Sequence, residues 1–123
     1  MTSSAKTSLL FVGTYTDKNE SEGIYTYRFD TENGSLRKLH SGPKTASPSF
    51  LAANGAGTVL YAVNETETGE VTSFTVDPAD ASLTVQSTQK SMGIHPCHII
   101  LDRAGKNVLV ANYTSGTATS LGL

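Results

Sequence analysis

"SPSFLAANGAGTVLYAVNE" (residues 47–65) lies over "HPCHIILDRAGKNVLVANY" (95–113) without a gap at an offset of 48. Pro48 falls on Pro96, Ala56 on Ala104, Gly57 on Gly105 and Asn64 on Asn112, and the apolar runs coincide. A second pair, "IYTYRFDTENGSL" (24–36) and "VTSFTVDPADASL" (71–83), aligns at an offset of 47, with Asp30 on Asp77 and Leu36 on Leu83. The chain therefore repeats about every 47 residues. Within each period, Ile24, Tyr27 and Phe29, like Val71, Phe74 and Val76, sit in short runs of β-branched and aromatic residues with partial alternation, the pattern of a strand. The punctuation is turn chemistry. "ENGS" (32–35) reads as a hairpin because Asn-Gly tolerates positive φ, and "NGAGT" and "DRAGK" supply equivalent tight connections. No stretch carries a 3.6-residue apolar period over two or three turns, so an all-β fold is expected.

A repeat of 40 to 50 residues made of four short strands marks a β-propeller blade, a four-stranded antiparallel sheet. Strands are predicted near 9–15, 23–30 and 36–40 in blade one (9–46). Blade two (47–92) takes those near 49–53, 59–64, 71–76 and 83–88, and the start of blade three (93–123) those near 97–102, 108–113 and 117–122. A closed ring needs roughly four to eight blades, and 123 residues hold about two and a half. Residues 1–123 thus read as a single partial propeller domain of a larger ring. Repeat units bury their faces on neighbours, so the end sheets would leave edges open to self-association.

Composition narrows the partners. A chain that is 37% hydrophobic and 16% charged is globular, and a net charge of −2 with no basic run excludes a nucleic-acid footprint. The start "MTSSAKTSLLFVGTY" has one Lys and a four-residue apolar run before Gly13, too short for a signal peptide or a membrane span. A cytoplasmic location is expected, and the lone Cys97, which can form no intrachain disulfide, agrees with it. Asn-x-Ser/Thr sequons begin at Asn19, Asn33, Asn64 and Asn112 and read as chance in a Ser/Thr-rich chain. No nucleotide-binding glycine pattern occurs, so no cofactor is expected.

In order and spacing, "FVGTYT", "GIYTYRFDTENGSL", "PSFLAANGAGTVLYAVNE", "GEVTSFTVD", "GIHPCHIILDRAGKNVLVANY" and the "SG" before a last strand resemble the seven-bladed lactonase propellers, 6-phosphogluconolactonase and carboxymuconate cyclase among them. The resemblance runs along the whole chain and corresponds to the family's N-terminal third. It implies hydrolysis of a sugar lactone ester in the pentose phosphate route, or, as the alternative, cyclisation of a muconate-type acid to a lactone. A non-catalytic propeller piece that assembles through its edges is the third reading. The family's further histidine-bearing segment, active-site arginines and distal carboxylate have no counterpart before Leu123.

The repeat singles out the candidate residues. His95 takes the place of Ser47 and His98 that of Phe50, so the scaffold does not demand histidine at either position. The loop that leads into a blade's innermost strand opens on the mouth of the central channel. His95 belongs there, beside Pro96, which fixes the backbone. In a lactonase, water attacks the ester carbonyl and a group titrating near neutrality takes its proton, which histidine can do. His95, His98 and Glu65 are the candidate catalytic residues, each weighed against hydrogen bonding to neighbouring backbone, packing, or solvation as a loop charge. A metal site from His95, Cys97, His98 and Asp102 is not expected, because Cys97 and His98 on a strand point to opposite faces. Cys97 reads as a small buried hydrophobe. Asn64 and Asn112 recur at strand ends and read as structural caps, and Gly13 in "FVGTY" suggests close approach of another backbone or a crowded channel wall. No cation in the chain is placed to meet a substrate phosphate: Arg103 and Lys106 fall in a turn, and Arg28, Arg37 and Lys38 on blade surface.

Overall fold

The computed structural model describes residues 6–123; residues 1–5 of the expected domain lie outside the described residues. Ten strands form three antiparallel sheets, with no helix among the described residues. The first sheet is β1 (Thr7–Gly13), β2 (Gly23–Asp30) and β3 (Leu36–Lys44) in that order. The second is β4 (Leu51–Ala53), β5 (Val59–Asn64), β6 (Glu70–Val76) and β7 (Leu83–Lys90). The third is β8 (Pro96–Leu101), β9 (Asn107–Asn112) and β10 (Thr117–Gly122). Each is a meander whose neighbours in sequence are neighbours in the sheet, as short hairpin connections require.

β5 and β9, the strands that superimpose in sequence, both stand second in their sheets. The first sheet begins one place later in the blade plan. β1 pairs with β2 through Gly13↔Ile24, as β5 pairs with β6 through Val63↔Val71, so β1 is a second strand, with no inner partner among the described residues. The sheets stack face to face through two separate apolar layers. Ile24, Leu60, Ala62, Phe74, Val76, Ala81 and Leu83, with Phe11 and Leu51 against them, join the first sheet to the second. Tyr61, Val63, Val71, Ile99, Val108 and Val110 join the second to the third. Along β5 the side chains alternate between these layers, Leu60 and Ala62 to one and Tyr61 and Val63 to the other, which is why that strand is buried on both faces. The outer strand β7 is exposed from Thr84 onward. This is the all-β architecture of a partial propeller.

The turns differ from the sequence reading in one respect. In "ENGS" only Gly34 takes positive φ, at 76°, and the turn is held by Asp30: its Oδ1 accepts the Glu32 and Asn33 amides at 2.8 and 3.2 Å. A carboxylate that satisfies two turn amides replaces the two-residue turn that Asn-Gly suggests. In the second sheet Asp77 does the same for Ala79 at 2.7 Å, and Ala81 takes the place of Gly34 at a φ of 63°.

Gly13 meets backbone. A Cβ there would fall well inside van der Waals contact of the Pro48 carbonyl oxygen, so the end of β1 lies directly on the loop that enters the second sheet. Asn64 and Asn112 are buried, and their amides tie each second strand to the same kind of loop. Asn64 Nδ2 donates to Thr45 Oγ1 and the Ala46 carbonyl, both at 2.7 Å, and Asn112 Nδ2 to the Ser91 carbonyl at 3.0 Å. Burial of these two amides accounts for the Asn-x-Thr sequence at both positions without glycosylation.

Candidate functional site

The site is built by one local motif used twice. Ser47 and His95 both adopt the left-handed conformation, with φ of 39° and 54°, immediately before Pro48 and Pro96. That turn aims each carbonyl back at the second strand of its own sheet. Glu65 N donates to the Ser47 carbonyl at 3.0 Å and Tyr113 N to the His95 carbonyl at 2.9 Å. On the other side each residue reaches the preceding sheet: Ser47 N donates to Thr16 Oγ1 at 2.9 Å, and His95 N to the Thr66 carbonyl at 3.0 Å. Residues 47 and 95 are thus clamped between consecutive sheets by their backbones, and at Ser47 the side chain joins in, its Oγ accepting from Thr16 N at 3.1 Å.

The same register reveals a triplet that the sequence comparison did not isolate. Thr14-Tyr15-Thr16, Asn64-Glu65-Thr66 and Asn112-Tyr113-Thr114 stand at the ends of β1, β5 and β9 in turn. The first stands at an offset of 50 from the second because ten residues separate Gly13 from its partner Ile24, whereas seven separate Val63 from Val71. The signal in the sequence was the threonine two residues after each of Thr14, Asn64 and Asn112.

These elements surround a cleft of about 360 Å³ lined by Tyr15, Asp17, Ser47, Glu65, Thr66 and His95. All three sheets contribute to it or to its support. The Tyr15 hydroxyl donates to Glu65 Oε2 at 3.0 Å, and the Ser49 hydroxyl donates to the same oxygen. The bond to the Glu65 carboxylate, with smaller contributions from burial and from the carboxylate charge, holds the Tyr15 phenol above its ordinary pKa of 10.0, so it remains a donor. On the far wall, His95 Nδ1 lies 2.7 Å from Thr114 Oγ1. In the tautomer where Nδ1–H donates to that hydroxyl, Nε2 carries the lone pair.

Of the three candidates, Glu65 and His95 share the cleft, and His98 does not line it. The His98 ring packs against Phe50, its counterpart in the preceding sheet, at 4.4 Å between centroids and a 47° tilt. Cys97 is half-buried rather than buried, with Sγ 3.7 Å from the Ala111 carbonyl. A bulge between Pro96 and His98 causes this: the pairing steps from Asn112 to Ala111 and leaves Cys97 unmatched on β9. The strict alternation assumed for Cys97 and His98 fails at that bulge. Among the described residues no group of three or more His, Cys, Asp or Glu converges to hold a metal ion.

Stacked antiparallel meanders of three and four strands whose entry loops gather on one cleft define part of a β-propeller. The chain belongs to the family of seven-bladed β-propeller lactonases, whose model matches residues 9–123. It is 37% identical over 107 residues to the 6-phosphogluconolactonase of Bacillus subtilis strain 168, covering 86% of this chain and 30% of that protein. A crystal structure of a candidate 6-phosphogluconolactonase from Bacteroides fragilis superimposes with a TM-score of 0.88 at 37% identity, over 95% of this chain and 32% of that one. The periplasmic gluconolactonase of Pseudomonas aeruginosa superimposes with a TM-score of 0.86 at 32% identity, over 95% of this chain and 34% of its own. The chain therefore spans about a third of the length of the relatives it matches.

Proposed function

We propose that the seven-bladed protein to which these sheets belong hydrolyses a sugar lactone, 6-phosphogluconolactone, in the pentose phosphate route, and that His95 is its proton acceptor. The observation that carries this is the fixed ring of His95, with Thr114 engaging Nδ1 on the wall of the cleft. Water attacks the lactone carbonyl while Nε2 takes its proton. The tetrahedral intermediate then collapses, the ring C–O bond breaks, and the departing alkoxide recovers the proton from the imidazolium to give the free acid. The cation that meets the phosphate is assigned to the remaining two thirds of the propeller. His98, stacked on Phe50, is assigned to packing between sheets.

In the complete protein, His95→Ala should lower kcat by about 10²- to 10⁴-fold, the range for a general base, with the thermal midpoint unchanged; His98→Phe, which copies Phe50, should leave kcat near wild type. Wild-type turnover in His95→Ala would make that histidine structural. We propose a cytoplasmic location on the lone cysteine; no helix among the described residues is long and apolar enough to cross a membrane. Recovery in the periplasmic fraction would reverse that assignment.

A further inference from the structure

The cleft holds a carboxylate that the reaction above does not use. Glu65 commits Oε2 to two donors, the Tyr15 phenol from the first sheet and the Ser49 hydroxyl from its own. A carboxylate has about four acceptor positions. Oε1 makes no hydrogen bond to a described residue at this site. It stands on a wall of the cleft beside a phenol ring that is 54% exposed. Tyr15, Glu65 and Tyr113 occupy the same register position in consecutive sheets, so the carboxylate falls between two exposed aromatic side chains on the rim, Tyr113 being 79% exposed.

We infer that Glu65 is a hydroxyl-recognition residue, its free oxygen accepting from ring hydroxyls of a polyhydroxylated substrate that lies against the Tyr15 ring, and that Tyr15 and Ser49 position it. The inference rests on the lactonase reading for the substrate class, but its chemistry is separate. A fixed anion with one vacant acceptor and an adjacent apolar ring face suits a sugar, whose hydroxyls donate and whose C–H face is apolar. Asp17, the other carboxylate on the cleft, makes the mouth more acidic. That favours donors over the carboxylate of the product acid, which this wall should repel once the ester is cleaved.

The test uses the complete protein and two kinds of ligand. Equilibrium titration with gluconolactam, a non-hydrolysable sugar ring, reads the subsite without turnover. Rates on 6-phosphogluconolactone and on δ-valerolactone, which has no ring hydroxyls, read the reaction. Glu65→Gln should weaken lactam binding about tenfold, the loss expected for a charge-assisted hydrogen bond. It should raise KM for the sugar lactone by a similar factor and change kcat less than about threefold, with valerolactone unaffected. Tyr15→Phe should act in the same direction by a smaller factor and add nothing in the Glu65→Gln background, because it works only through Glu65. Unchanged lactam affinity in Glu65→Gln, or no lactam binding to the wild type at about 10 mM, overturns the inference. So does an equal collapse of kcat on both lactones, which would make Glu65 a base. If the wild type cleaves no lactone yet binds the lactam through Glu65, the lactonase reading falls and the subsite stands.

Discussion

His95 illustrates how the scaffold can fix a backbone position while the side chain it carries differs from one repeat to the next. A left-handed conformation is uncommon for a residue other than glycine, and Ser47 adopts it at the same place in the preceding sheet. The scaffold therefore needs the turn, and the repeat lets either a hydroxyl or an imidazole occupy it. Gly13 is the converse case, where the scaffold dictates the side chain by forbidding one. The Pro48 carbonyl occupies the space a methyl group would need. Gly13→Ala should destabilise the chain by more than about 2 kcal/mol, at the upper end of overpacking, seen as a lower denaturant midpoint with the slope unchanged. A midpoint equal to wild type would mean that β1 does not rest on the entry loop of the second sheet.

At the scale of the element, the hairpins carry their own acid sensitivity. Asp102 ends β8 and accepts from Asn107 Nδ2 at 2.9 Å, Asn107 N at 3.0 Å and Lys106 N at 2.8 Å. The Asn107 side chain, followed by these amides, holds the carboxyl below its ordinary value of 3.8. A depressed folded-state pKa contributes stability above the unfolded value and loses it as pH falls through the folded one. Asn54 fills the same place in the second sheet and takes the Thr58 and Val59 amides at 2.8 and 3.1 Å, which shows that a neutral amide closes this turn. Asp102→Asn should therefore fold, and its thermal midpoint should fall less than wild type's between about pH 5 and pH 3. Identical pH profiles would remove Asp102 from the account. Both turns were visible in "NGAGT" and "DRAGK". What the sequence did not show was that the first residue of each, Asn54 or Asp102, does the closing.

For the whole molecule, the surfaces at the two ends matter most. Leu10 and Val12, on the opposite face of β1 from Phe11, are 38% and 37% exposed, and Ile100 and Leu109 on the far face of the third sheet are 46% and 40% exposed. These are the positions whose counterparts in the middle sheet are buried: Leu60 and Ala62 match Leu10 and Val12, and Tyr61 matches Leu109. Among the described residues β1 also lacks an inner partner and β10 an outer one, and unpaired edges template further pairing. We expect the isolated 123-residue chain to self-associate, with light scattering giving a mass above 13.0 kDa that rises with concentration. A stable monomer would show that the end faces need no cover; a single species of two or three copies would indicate that the chains close a ring.

The sequence alone determined the period, the strand plan, the hairpin sites and the two histidines at the start of the third sheet, because each follows from local pattern and self-comparison. It also placed His95 and Glu65 as candidates, since both stand at ends of repeated segments. It could not bring Tyr15 to Glu65, fifty residues away, nor separate His98 from the cleft by stacking it on Phe50. Those contacts cross from one sheet to the next. They depend on how twisted sheets are rotated about the axis when their apolar layers pack, and that rotation is set by the packed side chains of all three sheets together, not by any one segment.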